Sequence, residues 1–186
     1  MPPEDIGVRL AERITGATTS VSGGEGFART TIDVPPDQWV AAAATLRDEF
    51  DCNFFDWLSA VDELAEGFSV VAHVWSTKGR KGVLLRTRVP VAEPTLASIV
   101  EVYPGAAWHE RETYEMFGIG FPGPLEPLLL PPEFEGHPLR KSFILASRVA
   151  KVWPGAKEPG ESHDPKAPKR TTMRPPGVPA PGEWGN

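Results

Sequence analysis

Apolar positions along this chain recur with two periods, and the switches between them outline the fold. Residues Phe27 to Val34 read as a short strand. Pro35-Pro36-Asp37 then opens a helix, because proline is tolerated in a first turn whose N–H groups have no helical partner anyway. Trp39, Ala42, Ala43, Leu46 and Phe50 are spaced to form one apolar face of that helix. Phe54 to Val61 reads as a second strand, rich in aromatics and ending at Asp62-Glu63. Phe68, Val70, Ala72 and Val74 alternate with Ser69, Val71, His73 and Trp75, the two-residue period of a strand. After the turn Lys78-Gly79-Arg80-Lys81-Gly82, the residues Val83, Leu85, Thr87 and Val89 alternate again, so the pair reads as an antiparallel hairpin. From Pro94 the spacing of Leu96, Ile99, Val100 and Tyr103 predicts a second helix, stopped by Pro104-Gly105.

Strands and helices that do not strictly alternate predict an α+β fold. The expected form is a two-layer sandwich of a mixed, largely antiparallel sheet with helices on one face, followed by an extended C-terminal tail. The division is an N-terminal extension at 1–26, an α/β domain at 27–150 and a Pro-rich tail at 151–186. The tail holds eight prolines and six Lys/Arg against four Asp/Glu, a balance of +2 that leaves −8 on the first 150 residues. It has no hydrophobic period and cannot offset backbone ordering by burial, so alone it is expected to be extended or disordered. Two uses remain open for it, a solvated linker or a strap that orders along a neighbour.

Composition removes several classes. A formal charge of −6 argues against a general nucleic-acid binder. The single cysteine, Cys52, excludes an internal disulfide and any iron–sulfur or zinc site built from this chain's own thiolates, and it fits a reducing compartment. The start, Met1-Pro2-Pro3-Glu4-Asp5, does not read as a secretory signal. No stretch approaches the roughly 20 apolar residues that span a bilayer, so membrane association is expected only through partners.

The densest chemistry lies at Trp108-His109-Glu110-Arg111-Glu112-Thr113-Tyr114-Glu115-Met116-Phe117-Gly118, answered later by Phe134-Glu135-Gly136-His137-Pro138-Leu139-Arg140-Lys141. The first half reads as a short acidic helix with Ala107, Glu110, Tyr114 and Phe117 on one stripe, and Arg111 with Glu115 on another. Such a run is either a solvated face or an interface, where aromatics and Arg are enriched. The second half reads as a turn whose Arg140 and Lys141 are available to a carboxylate. Gly118 to Gly123 fits G-x-G-x-x-G, yet a helix precedes it and Pro122 and Pro124 follow, so the strand–turn–helix context of a dinucleotide site is missing. His109-Glu110 begins like a zinc-protease motif, but position 113 is Thr113 and no histidine pair has ligand spacing.

These two halves, together with Phe55-Asp56-Trp57-Leu58-Ser59-Ala60-Val61-Asp62, closely resemble the signature of one subunit of proton-pumping NADH-quinone oxidoreductase, the 30-kilodalton subunit family of respiratory complex I. The similarity extends over roughly residues 30–145. The resemblance implies a non-catalytic subunit of the peripheral arm, on the cytoplasmic face of the cell membrane. It implies no cofactor and no metal in this chain; NADH, FMN, iron–sulfur clusters and quinone would belong to the assembly. The implied partners are the large quinone-site subunit and the iron–sulfur subunits. Matched position by position, Glu110, Arg111, Glu112, Tyr114, Glu115 and Phe117 fall on the acidic helix, and Glu135, His137, Pro138, Arg140 and Lys141 on the basic turn, all with implied structural or contact roles.

One segment departs from that pattern. Where the family usually has a His-Pro, an Asp-Leu and a pair of arginines, this chain reads Phe121-Pro122-Gly123-Pro124-Leu125-Glu126-Pro127-Leu128-Leu129-Leu130, with an acid in place of the bases. After Lys141, Ser142 stands where an acidic residue is usual. The alternatives are the equivalent subunit of a complex I-like membrane-bound hydrogenase or other oxidoreductase, and a stand-alone adaptor. From a different class comes a free enzyme with an acidic site at Glu110, Glu112 and Glu115.

Overall fold

The computed structural model describes residues 3–23 and 28–144. The tail at 151–186, the last residues of the expected domain and Phe27 lie outside the described residues. The elements run α1 (Pro3–Ala11), β1 (Thr18–Ser22), β2 (Arg29–Asp33), α2 (Trp39–Phe50), β3 (Phe54–Asp62), β4 (Phe68–Ser76), β5 (Lys81–Val89) and α3 (Ala106–Phe117). One sheet takes all five strands in the order β1-β2-β5-β4-β3. Only β2 and β5 run parallel; the other neighbours are antiparallel. The expected α+β sandwich with a mixed, largely antiparallel sheet is what forms.

Alternation decides which side of the sheet is core. On β4 and β5 the facing pairs Val74↔Val83 and Ala72↔Leu85 bury their side chains, and Ile32 of β2 extends that row through Leu85. Leu58 and Ala60 continue it onto β3. Against this face lie Ile6 and Leu10 of α1, with Ile14 just beyond it, and the whole apolar stripe of α2. Asp51 ends α2 in the left-handed region at φ 58°, and the Cys52 N–H returns to the Leu46 carbonyl at 3.0 Å. Burial pushes the Cys52 thiol up to about 11, so at neutral pH it is a protonated, inert core residue.

Two sequence expectations change. The fold takes in residues assigned to an N-terminal extension: α1 packs on the sheet, and β1 pairs with β2 from Thr18↔Asp33 to Ser22↔Arg29. The second change is at Pro94 to Tyr103, where a helix is predicted and none forms. Leu96, Ile99, Val102 and Tyr103 are buried, as a helical face would be. The backbone, however, bonds elsewhere. The Leu96 N–H goes to Gly120, Gly120 N–H returns to Pro94, and Ile99 N–H goes to the Glu110 carboxylate. Only one turn remains, with Val102 and Tyr103 N–H both on the Ile99 carbonyl. An extended piece followed by a single turn buries the same residues as a helix would, so side-chain spacing does not separate them. Tyr103 then donates its hydroxyl to the Cys52 carbonyl at 2.8 Å and locks this segment to the end of α2.

Leu10 is wholly buried in the core that α1 shares with the sheet. Leu10→Ala is expected to cost about 2–5 kcal/mol, as large-to-small core substitutions do. A urea unfolding curve measures it. A midpoint unchanged from the parent would show that α1 lies outside the cooperative unit.

Candidate functional site

The last four carbonyls of a helix have no partner within it. In α3 the chain that returns from residue 137 takes up three of the four. The Gly118 N–H bonds to the Tyr114 carbonyl at 2.7 Å. His137 Nδ1 donates to the Glu115 carbonyl at 2.8 Å, which fixes the proton on that nitrogen. The Leu139 N–H takes the Met116 carbonyl at 3.1 Å, and Arg140 Nε donates to that of Phe117. A cation is favoured at this end by the helix dipole. The Arg140 guanidinium also lies over the Phe68 ring, 5.1 Å from its centroid, and Phe117 meets that ring edge-on. Gly118 makes the closure possible: its φ is 72°, and a Cβ there would sit 2.5 Å from His137 Nε2.

Between the two halves the Pro-rich arm is pinned by a single pair of residues. Arg111 donates to the carbonyls of Glu126 and Pro127, at 2.9 Å each. Glu115, one turn further on, accepts the N–H groups of Leu128 and Leu129 at 2.8 Å and of Leu130 at 3.2 Å. Three successive N–H groups on one carboxylate form an anion nest. Burial alone would raise the Glu115 pKa, but these donors and Arg111 hold it below the ordinary glutamate range. Glu126 contributes its backbone carbonyl here, not its side chain.

Glu110 is buried, at 3% exposure, and accepts the Ile99 N–H at 2.9 Å. Burial pushes its pKa up, against the Ile99 N–H and the Ser98 hydroxyl. It closes one wall of a cleft of about 650 Å³ whose opposite wall is Pro122 to Glu126. The inward row of α3 is Ala106, Glu110, Thr113 and Phe117, with Glu115 also buried, whereas Tyr114 is 38% exposed and stands edge-on to His137. Ala107 and Tyr114 therefore leave the stripe that their spacing assigns them to and give way to Ala106 and Thr113, while Glu110 and Phe117 keep their places.

The glutamates of a supposed acidic centre do not converge. Glu110 binds Ile99 and Glu115 binds the arm, while Glu112 has no polar partner among the described residues. No group of three or more His, Cys, Asp or Glu among those residues is placed to hold a metal. Glu135 is exposed and Pro138 half-buried in the returning turn. Lys141 brings its backbone N–H, at 2.8 Å, to the carboxylate of Asp62. That aspartate was not singled out from sequence. It is 8% exposed, also accepts the Leu64 N–H, and is held below its usual pKa chiefly by the Lys141 N–H. Its position at the end of a strand, just before the Glu63–Gly67 turn, was the available signal. The residues left outward include large apolar ones beside Glu126, Glu133, Glu135 and Lys141: Trp108, Leu129, Leu139 and Ile144 are all more than half exposed, and Arg111 stacks on Trp108 at 5.3 Å.

The two buried glutamates predict opposite pH dependences. A depressed pKa stabilises the fold above the unfolded value of about 4.3 and loses that contribution as pH falls through the folded value. A raised pKa contributes fully below about 4.3 and loses the contribution as pH rises through the folded value. Glu115→Gln is thus expected to destabilise at neutral pH by about 1.5–3 kcal/mol, the worth of hydrogen bonds to a charged group, with the deficit shrinking on acidification. Glu110→Gln is expected to raise stability at neutral pH and lose that advantage in acid. Chemical denaturation from pH 3 to 8 reads both, and two curves of the same sign would refute the assignment.

Residues 32–149 match the family model described as "Respiratory-chain NADH dehydrogenase, 30 Kd subunit". A subunit of the NADH-quinone oxidoreductase of Roseiflexus castenholzii is 40% identical over 122 residues, 62% of this chain and 70% of that one. A fusion of two NADH-quinone oxidoreductase subunits in Methylococcus capsulatus is 40% identical over 152 residues, 70% of this chain but 26% of the fusion. Among solved structures, a chain of the membrane-bound sulfane sulfur reductase, an archaeal respiratory membrane complex, aligns with a TM-score of 0.65 at 25% identity, covering 87% of this chain and 96% of that one. With most of the folded body matched, α3 and the returning turn included, this chain belongs to the family of the 30 kDa subunit of respiratory-chain NADH dehydrogenase.

Proposed function

We propose that this chain is a non-catalytic subunit of the peripheral arm of a proton-translocating NADH-quinone oxidoreductase. It docks the large quinone-site subunit beside the iron–sulfur subunits. NADH, FMN, the clusters and quinone are bound by those partners, and the chain reaches the cytoplasmic face of the membrane through them. The observation that carries this reading is how the motif is spent. Arg111 and Glu115 fix the arm, Glu110 holds Ile99, Phe117 packs into the core, and His137 and Arg140 close the end of α3. Trp108, Tyr114, Leu129, Phe134 and Leu139 are left outward on a scaffold already held in place. Aromatic and large apolar residues on a rigid base are what interface centres are made of.

The fused relative supports a lasting neighbour within such an assembly, since there the matching sequence shares one polypeptide with another subunit of the oxidoreductase. A second reading rests on the likeness to the sulfane sulfur reductase chain, namely that this chain serves a sister respiratory assembly with a different electron donor or acceptor.

The chain, tagged at its N-terminus and purified in mild detergent from its own membranes, tests both. Copurifying iron–sulfur subunits with NADH-driven quinone reduction support the first reading; hydrogenase or sulfur-reductase subunits move the chain to the second. Trp108→Ala is expected to cost about 2 kcal/mol of docking, roughly 30-fold in affinity, without unfolding the free chain. Full retention of partners by Trp108→Ala and by Leu139→Asp would sink the interface assignment.

A further inference from the structure

The helices cover one face of the sheet, and no described helix covers the other. Its residues form cross-strand rows. One row runs Phe54, Trp75 and Gly82 across β3, β4 and β5, and the Arg29 guanidinium of β2 lies over Trp75 in it. The next holds Trp57, His73, Leu84 and Thr31. A register shift between Phe55 and Trp57 acts as a bulge. It places Trp57 on the open face together with Asp56, where simple alternation would have turned one of the two inward. Asp56 accepts a hydrogen bond from His73 Nδ1 at 2.8 Å through Oδ2, and its second oxygen has no partner among the described residues. Phe54 is 52% exposed and Trp57 36%. Phe54, Asp56, His73 and Trp75 surround a hollow of about 270 Å³.

We propose that this hollow is a binding site for the guanidinium group of an arginine on a neighbouring protein. It is a second docking point, independent of α3 and the arm. Four observations select that ligand. The volume lies below the roughly 300–1,000 Å³ of small-molecule pockets, so it suits one side chain and not a cofactor. Aromatic walls attract a cation through their ring faces. The unspent Asp56 oxygen supplies the charge and hydrogen-bond acceptor that a guanidinium needs at its edge. The chain itself already uses the mode here: Arg29 reaches across Gly82 and lies 5.8 Å from the Trp75 ring. Gly82 permits this because a Cβ there would lie 2.7 Å from the Trp75 ring. A planar guanidinium stacks on such walls, whereas an ammonium is a compact, strongly hydrated point charge. The formal charge of −6 on the chain favours a basic partner in addition.

The test uses the full chain, labelled with nitrogen-15, and the blocked dipeptides acetyl-Arg-Arg-amide, acetyl-Lys-Lys-amide and acetyl-Gln-Gln-amide as probes. Saturable shifts of the Trp57 and Trp75 indole N–H signals are expected with the arginine probe, at least 5-fold tighter than with lysine and absent with glutamine. Asp56→Asn keeps an oxygen for His73 Nδ1 and is expected to weaken the arginine probe at least 5-fold with an unchanged spectrum elsewhere. Phe54→Ala, at an exposed position, gives the same loss. Equal response to all three probes, or unaltered affinity in both variants, overturns the proposal. So does retention of every copurifying partner by the Asp56→Asn, Phe54→Ala double variant. A failure confined to the Trp108 and Leu139 variants would instead strike the docking role of α3 and leave this site standing.

Discussion

Four carbonyl groups at the end of α3 set the shape of everything that follows them. Left bare in a half-buried position, each would cost a hydrogen bond's worth of desolvation. Gly118 answers the first from within the chain's own reversal, but the other three need donors from elsewhere. His137, Leu139 and Arg140 supply them. That requirement ties residue 137 to residue 115, and the segment between must close as a loop. Its prolines, Pro122, Pro124, Pro127, Pro131 and Pro132, bring no N–H groups that would need partners of their own. Arg111 and Glu115 then hold the middle of the loop by its backbone, carbonyls on one side and N–H groups on the other. The arm therefore needs no secondary structure to be fixed.

The charges of α3 act differently from what their spacing implies. Arg111 and Glu115 stand four residues apart, where a helix-surface ion pair would be worth only a few tenths of a kcal/mol. Each is instead directed at backbone groups of the arm, and a carboxylate that collects three N–H groups gains far more than one facing a solvated cation. Glu110 spends its charge on a single N–H and a hydroxyl, too little to outweigh burial, which is why its pKa moves the other way. Two glutamates of one helix thus differ in how deeply each is enclosed and in the number of donors each meets. Burial adds to the difference, since Glu110 is the more deeply enclosed of the two.

How much of this the sequence discloses depends on where the information is held. The face of α2 is legible to the residue because a regular helix converts spacing directly into burial, and the β4–β5 hairpin is legible because alternation does the same for strands. The helix predicted from Pro94 fails because spacing reports side chains, while the outcome there was decided by backbone donors captured by Gly120 and Glu110. The strand β1 is polar and largely exposed, so nothing in its pattern marks it as part of the sheet; its pairing with β2 does. The two halves of the motif were visible, but their mutual fit was not. Arg140 and Lys141 were matched to carboxylates as charges. In the fold Arg140 serves a carbonyl and a ring and Lys141 reaches Asp62 through its backbone N–H, while the charges of both also help to hold the Asp62 carboxylate ionised.

A docking surface binds best when it is ordered before a partner arrives. Ordering a loop at the moment of docking would subtract from affinity, side chain by side chain. Here that ordering is completed within the domain, by bonds that use up most of the polar members of the motif and leave apolar ones facing out. Charges at Glu110, Arg111, Glu115 and Arg140 act as the fastening, and the exposed Trp108, Leu129 and Leu139 are among the side chains that the fastening displays. The arrangement also frees the side chain at position 126 from any fastening role. Arg111 grips the backbone of that residue, so its side chain is not needed to hold the arm.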